Sequence, residues 1–175
     1  MATPETLTPR AQEIVDAARE LIESEGSEGL SMRRVADRLG IRAPSIYKHL
    51  PDKRALENAL ISDAFEEQAA GFAAALEDGG DPLTALAASY RSFALAHPHL
   101  YRLMTERALD RERLVPGAED RAARPVIDAM GGDVDRARAV WAFAHGMTIF
   151  ELDGRFPPGA DLDAAWATGL AAFRS

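Results

Sequence analysis

Residues 31–54 read SMRRVADRLGIRAPSIYKHLPDKR. Ser31 suits a helix N-cap, because its hydroxyl oxygen can accept from a free amide of the first turn. Val35, Ala36 and Leu39 follow on one helical face. Gly40 permits the sharp turn that ends this helix, and Ile41 plugs the corner before the next. Pro44 fits the first turn of a second short helix, where its missing N–H costs nothing. On that helix Ile46 and Leu50 point inward at i and i+4, which leaves Arg42, Ala43, Ser45, Tyr47, Lys48 and His49 for the outside. A third helix starts at Pro51-Asp52-Lys53, with Asp52 as its cap. The spacing predicts a helix-turn-helix of the kind that places its second helix in a DNA groove.

Charge supports that reading. The stretch carries seven basic side chains against two acidic, net +5, while the whole chain is net -8. Residues 1–56 balance nine basic against nine acidic, so the deficit lies entirely in residues 57–175. A uniformly acidic chain is repelled by DNA; a basic island within one points to a face with a dedicated task. A merely solvated helix face would explain the charge, but it would not need the Gly-Ile corner, the early proline and the aromatic beside a lysine.

Arg10, Ile14, Ala17-Ala18, Gly26, Leu30-Ser31-Met32, Val35-Ala36, Leu39-Gly40-Ile41, Ile46-Tyr47, Leu50, Lys53 and Leu56 together resemble the N-terminal domain of the TetR family of transcriptional regulators. Leu50 stands where that family usually has phenylalanine, and Ile22 where an aromatic is common; both replacements are apolar. The resemblance implies an all-α fold of about nine helices. A helix-turn-helix DNA-binding domain would occupy residues 1–56, and a regulatory ligand-binding and dimerisation domain residues 57–175.

Composition agrees with a small head and a larger helical body. The 175 residues can bury a sizeable core, and alanine-rich runs favour helix. No cysteine and no signal peptide point to a reducing cytoplasm, and no apolar run approaches the ~20 residues that span a bilayer. The first seven or so residues, rich in Thr and holding Pro4, are expected to be disordered.

Apolar periodicity predicts helices over 9–25, 52–77, 82–96, 99–109, a stretch ending near Met130, 133–153 and 161–174. The helix over 52–77 leaves the head and enters the body, and so is expected to link them mechanically. Residues 110–117 read as a charged loop, and Pro125 is expected to split or kink its helix. The segments Trp141-Ala142-Phe143-Ala144-His145-Gly146 and His97-Pro98-His99-Leu100-Tyr101-Arg102-Leu103-Met104 resemble a C-terminal regulatory type of the family named for its Trp-His-Gly motif.

The roles of individual residues follow from their chemistry. Lys53, in the first turn of its helix, joins backbone amides and the helix dipole that already favour an anion, so it is expected to hold a DNA phosphate. Ser31, Tyr47 and His49 carry donors for phosphate, and Arg33 reaches the same strand or is simply solvated. Tyr47 also suits a core position. Arg42 and Lys48 can hydrogen-bond guanine O6 and N7, Ala43 and Pro44 can pack on a thymine methyl, and Ser45 can donate to base or phosphate.

In the body, Tyr90, Phe93, Tyr101, Met104, Trp141, Phe143, Met147 and Phe150 either line an inducer cavity or form plain core. His145 fits a pocket or a packing role. The last two helices carry Val134, Thr148 and Leu152, then Leu162, Trp166, Leu170 and Phe173, with Ala165 and Gly169 as a strip of small residues. Two adjacent apolar helices could simply close a monomer's core; because one head reads only half an operator, this pair is expected to form a homodimer interface.

Enzymatic readings find no support. There is no G-x-G-x-x-G, P-loop or G-x-S-x-G, so no cofactor and no catalytic residue is expected. The four histidines (His49, His97, His99, His145) form no ligand-spaced pair, so no metal is expected, and His97 and His99 flanking Pro98 read as a helix junction. Two function classes remain. The first is a cytoplasmic, ligand-responsive transcriptional regulator, a repressor released from a palindromic operator by a small-molecule inducer. Its rival is a helical small-molecule binding or interaction protein that does not read DNA.

Overall fold

A computed structural model describes residues 7–77 and 79–174; the disorder expected of the first residues falls at 1–6, outside the described residues. Nine α-helices and no strand occur among the described residues: α1 (Pro9–Glu25), α2 (Met32–Arg38), α3 (Ala43–Ile46), α4 (Lys53–Glu77), α5 (Pro82–Ala96), α6 (Pro98–Thr105), α7 (Ala118–Ala129), α8 (Val134–Leu152) and α9 (Leu162–Ala171). Most begin where a local signal permits. Thr8, Ser31, Asp133 and Asp161 each accept a hydrogen bond from a first-turn amide of the helix they cap. Pro98 sits at the first position of α6, where proline is pre-set for helix, so α6 starts one residue before the expected 99. It ends at Thr105 rather than 109, and the residues that follow are drawn toward the start of α4 instead of continuing the helix. Pro125 lies inside α7 without dividing it.

Packing divides the chain into two compact units, residues 7–66 with 97–119, and 67–96 with 120–174. The boundary expected after residue 56 does not coincide with this division. α4 stays with the first unit through Glu66, and α6 joins that unit because it packs on α1.

In the first unit α1 packs against α2 and α6, and α2 against α3. Ile14, Ala18 and Ile22 of α1, Val35 of α2, Ile46 of α3, Leu56 and Leu60 of α4, and Leu100 and Tyr101 of α6 are buried almost completely. Polar contacts set the register of these helices. Gln12 Nε2 donates to Asp63 Oδ2 at 2.8 Å, tying α1 to α4, and His97 Nδ1 lies 3.0 Å from Glu23 Oε1, tying α6 to α1. The Ser62 hydroxyl donates to the Asn58 carbonyl at 2.9 Å and accepts from the Val115 amide at 3.0 Å.

In the second unit α5 packs on α8 and α9, and α8 on α9. Phe72, Leu83, Leu86, Tyr90, Ala94, Val140, Ala144, Trp166 and Leu170 are buried there. Arg91 of α5 is its electrostatic pin, making a bidentate pair with Glu151 at 2.7 and 2.8 Å and reaching Asp163 at 2.7 Å.

Candidate nucleic-acid interface

The corner between α2 and α3 is set by backbone geometry. Gly40 adopts a left-handed φ of +63°, and the Ile41 amide donates back to the Ala36 carbonyl at 3.0 Å, closing the end of α2. Ser31 caps the other end, its hydroxyl oxygen accepting from the Arg34 amide at 3.2 Å. The Ser31 O–H proton is left to donate elsewhere.

α3 is short, and turns at 47–49 carry the chain on to Leu50. Ile46 and Leu50 are buried and pin this segment, so the side chains between them face out. Arg42, Pro44, Tyr47, Lys48 and His49 are exposed, and Ala43 and Ser45 are half-buried. Tyr47 is 50% exposed, which removes it from the core and places its hydroxyl on the solvent face. The side chains of Arg42, Tyr47, Lys48 and His49 form no hydrogen bond or ion pair among the described residues. An unpartnered basic and aromatic face over a pinned apolar underside is what a DNA groove requires.

The rest of the basic island has other tasks. Arg34 pairs with Glu25 and donates to the Gly29 carbonyl at 3.1 Å, while Arg38 pairs with Glu20 at 2.6 Å. Both clamp α2 to the end of α1. Arg33 is widely exposed, 4.0 Å from Asp37.

At the start of α4 Asp52 caps the helix, accepting from the Ala55 amide at 2.7 Å. That hydrogen bond, followed by the charge of Arg113, holds its carboxyl below the usual carboxylate range. Lys53 opens the helix as expected, but its ammonium lies 3.6 Å from Glu57 Oε1, which also takes Arg107 at 3.4 Å. Arg54 pairs with Asp110 at 2.9 Å, and Arg113 lies 3.5 Å from Asp52. The segment after α6 thus returns to the helix start that is expected to grip phosphate. Sequence reasoning missed this return; its only trace is the charge density of Arg107, Asp110, Arg111, Glu112 and Arg113.

Two family models match the chain. One, of the bacterial regulatory proteins of the tetR family, covers residues 14–60; the other, of the tetracyclin repressor-like C-terminal domain, covers residues 83–173. The chain belongs to the TetR family. An uncharacterised HTH-type transcriptional regulator from Mycobacterium tuberculosis is 29% identical over 155 residues, 82% of this chain and 70% of the relative. A protein of unknown function from Rhodococcus sp. RHA1 superposes with a TM-score of 0.77 at 27% identity, over 98% of this chain and 97% of that one. The multidrug binding protein EbrR, solved with imidazole, superposes with a TM-score of 0.67 at 25% identity, over 95% of each chain. The tetracycline repressor proteins of classes D, H and C align over only 47 to 49 residues, so the chain spans 22% of their length.

The body of this TetR-family chain departs from the expected arrangement. Its candidate inducer residues are divided between the two units. Tyr101 and Met104 belong to the first unit; Tyr101 is buried, and Met104 lines a cleft of about 410 Å³. Tyr90 and Trp141, in the second unit, line a small cavity of about 60 Å³ with Phe72, Leu86 and Val140. Phe93 is core. Phe143 packs edge-on to Trp166 with ring centres 5.6 Å apart and touches Phe173 at 5.9 Å. Trp141 stacks on His145, Phe150 lies against Phe156, and Met147 is half-buried.

The candidate dimer residues are also divided. Thr148, Trp166 and Leu170 are buried within the chain, so they have little surface left for a partner. Gly169 faces Phe143, and a Cβ there would collide with the ring tip; its smallness serves the α8–α9 contact inside one chain. Leu152, Leu162, Ala165 and Phe173 are half-buried, and Val134 is exposed. The exposed residues of α8 are Val134, Asp135, Arg138, Ala139, Trp141, Ala142 and Phe150, and those of α9 are Asp163, Ala164, Ala167, Thr168 and Ala171.

The histidines follow the junction reading for the α5–α6 corner, where His97 meets Glu23 and His99 lies against Gly26. No cluster of three or more His, Cys, Asp or Glu able to hold a metal occurs among the described residues, and no helix there is long and apolar enough to cross a membrane.

Proposed function

We propose that this protein is a cytoplasmic, ligand-responsive transcriptional repressor that binds a palindromic operator as a homodimer and is released by a small molecule. The observation that carries the reading is the exposed, unpartnered set Arg42, Tyr47, Lys48 and His49, held over buried Ile46 and Leu50 beyond a Gly40 corner. Arg42 and Lys48 read base edges, with Ala43, Pro44 and Ser45 beside them; Lys53, Ser31, Arg33, Tyr47 and His49 hold phosphates. Dimerisation follows from the geometry of reading two half-sites one helical turn apart, about 34–36 Å. The outward faces of α8 and α9 supply the apolar and small side chains such an interface needs. Release by a ligand follows if the ligand prefers a body conformation in which the two heads no longer match that spacing.

Selection of bound duplexes from a random-sequence pool tests the reading. A palindrome with half-sites one turn apart is the expected result, with an affinity that falls steeply with salt. Failure to retain any duplex at low salt would refute it and favour the rival, a helical binding protein that does not read DNA.

A further inference from the structure

Lys53 and Glu57 stand one turn apart at the start of α4, in the weaker orientation of an i, i+4 pair, with the cation on the N-terminal side. The helix dipole also opposes a cation there. The ammonium lies 3.6 Å from Glu57 Oε1 and makes no other ion pair among the described residues. Glu57 has little water of its own. Its side chain is 15% exposed, so the carboxylate depends on a counter-charge. Arg107, from the segment after α6, supplies the nearer one, its Nη1 donating to the same Oε1 at 3.4 Å. Two cations thus share one oxygen, and the lysine is the more distant of them.

The segment that carries Arg107 is fastened to α4 on both sides of Glu57. Arg54 pairs with Asp110 at 2.9 Å, Arg113 lies 3.5 Å from Asp52, and the Val115 amide donates to the Ser62 hydroxyl at 3.0 Å. These pairs set four cations (Lys53, Arg54, Arg107 and Arg113) against three carboxylates (Asp52, Glu57 and Asp110). One positive charge is surplus. Each arginine approaches a carboxylate more closely than Lys53 does, so the surplus falls on Lys53.

We propose that Arg107 is a positioning residue for DNA binding: by taking Glu57 it leaves the Lys53 ammonium free for a backbone phosphate. Arg107 has this task only if Lys53 holds a phosphate, as proposed above. Without Arg107, Glu57 turns to Lys53, and a phosphate at the helix start meets an uncompensated carboxylate.

A phosphate contact is blind to base sequence, so a duplex of arbitrary sequence at low salt is a sufficient probe for the full chain. Lys53→Ala should weaken its binding about tenfold per head, as loss of a hydrogen bond to a charged group predicts. Arg107→Gln, at an exposed position, should weaken it about threefold to fivefold with the melting temperature nearly unchanged. In a Glu57→Gln chain the competing carboxylate is gone, and Arg107→Gln should then cost nothing measurable. An arginine that merely attracted DNA by its charge would cost the same in both backgrounds, and that result would overturn the proposal. Should Glu57→Gln not fold, Lys53→Ala is the second background. With no ammonium to release, Arg107→Gln should there lose less than in the wild type, and an equal loss would overturn the proposal. If Lys53→Ala weakens binding and Arg107→Gln does not, the positioning role alone is refuted. Undiminished binding by Lys53→Ala refutes the phosphate role of Lys53, and the positioning role with it.

Discussion

Lys48 and Lys53 carry the same charge, yet their surroundings assign them different work. Lys48 projects from a segment pinned by Ile46 and Leu50 and its side chain meets no partner among the described residues, which leaves it free for the base-edge role proposed for it. Lys53 stands at a helix start, shared with Glu57, where an anion is stabilised whatever the base sequence. Lys48→Ala is expected to relax preference at one base position by about 1–3 kcal/mol. Lys53→Ala should weaken binding to every sequence alike and lower the salt slope by about one. Binding isotherms across a panel of single-base operator variants distinguish the two patterns.

Gly169 poses a sharper question of sign. Alanine gains about 1 kcal/mol of helix propensity over glycine, but its Cβ would collide with the Phe143 ring tip. Overpacking of that kind costs about 1–3 kcal/mol, so Gly169→Ala should be net destabilising by about 1 kcal/mol. In a Phe143→Ala background the clash is gone and the same change should stabilise. Urea denaturation of the four variants of this cycle reads the coupling directly.

Among the elements, the α2–α3 corner depends on one backbone angle. Gly40 sits at φ +63°, and a Cβ there would touch nothing within 4 Å, so the cost of a side chain is conformational and not steric contact. Gly40→Ala is expected to cost about 1–2 kcal/mol in thermal or urea unfolding. The α1–α4 contact includes a half-buried charge. Asp63 accepts from Gln12, yet burial, more than Asp16 and Glu66, raises its carboxyl above the usual range. A raised acid favours the protonated form in the fold, so this group's contribution is most favourable below its unfolded pKa and declines as pH rises through its folded pKa. Asp63→Asn keeps an acceptor for Gln12 and removes the charge. It should raise the melting temperature at pH 7 by about 2 °C or less, and the gain should vanish in acid below that window.

For the molecule as a whole, the two tryptophans separate assembly from folding. Trp141 is 54% exposed on the outward face of α8, whereas Trp166 is 6% exposed within the second unit. Light scattering at micromolar concentration should show the wild type as a dimer. Trp141→Arg should shift it to monomer with its helical content retained. Trp166→Ala should cost about 3–5 kcal/mol and unfold the chain at lower denaturant. A dimer unaffected by Trp141→Arg would move the interface elsewhere.

Local chemistry determined most helix starts of this chain, their caps and the helix-turn-helix, because each depends on neighbours within a turn or two: Ser31 on Arg34, Gly40 on Ile41, Asp52 on Ala55. The outward set from Arg42 to His49 was readable for the same reason, since i and i+4 spacing tells which side of a short helix is pinned. Apolar periodicity could not say which neighbour each apolar face meets. Trp166 and Leu170 turn inward to α8 and α5, Gly169 serves Phe143, and the free small residues of α9 are Ala164, Ala167 and Ala171, one helical face away from the strip that spacing suggested. The meeting of Lys53 and Arg107 at Glu57 was equally invisible, because it requires α6 to pack on α1 and its following segment to return to α4. Contacts between residues far apart in sequence belong to the tertiary structure, since no local pattern encodes which charged side chains will meet.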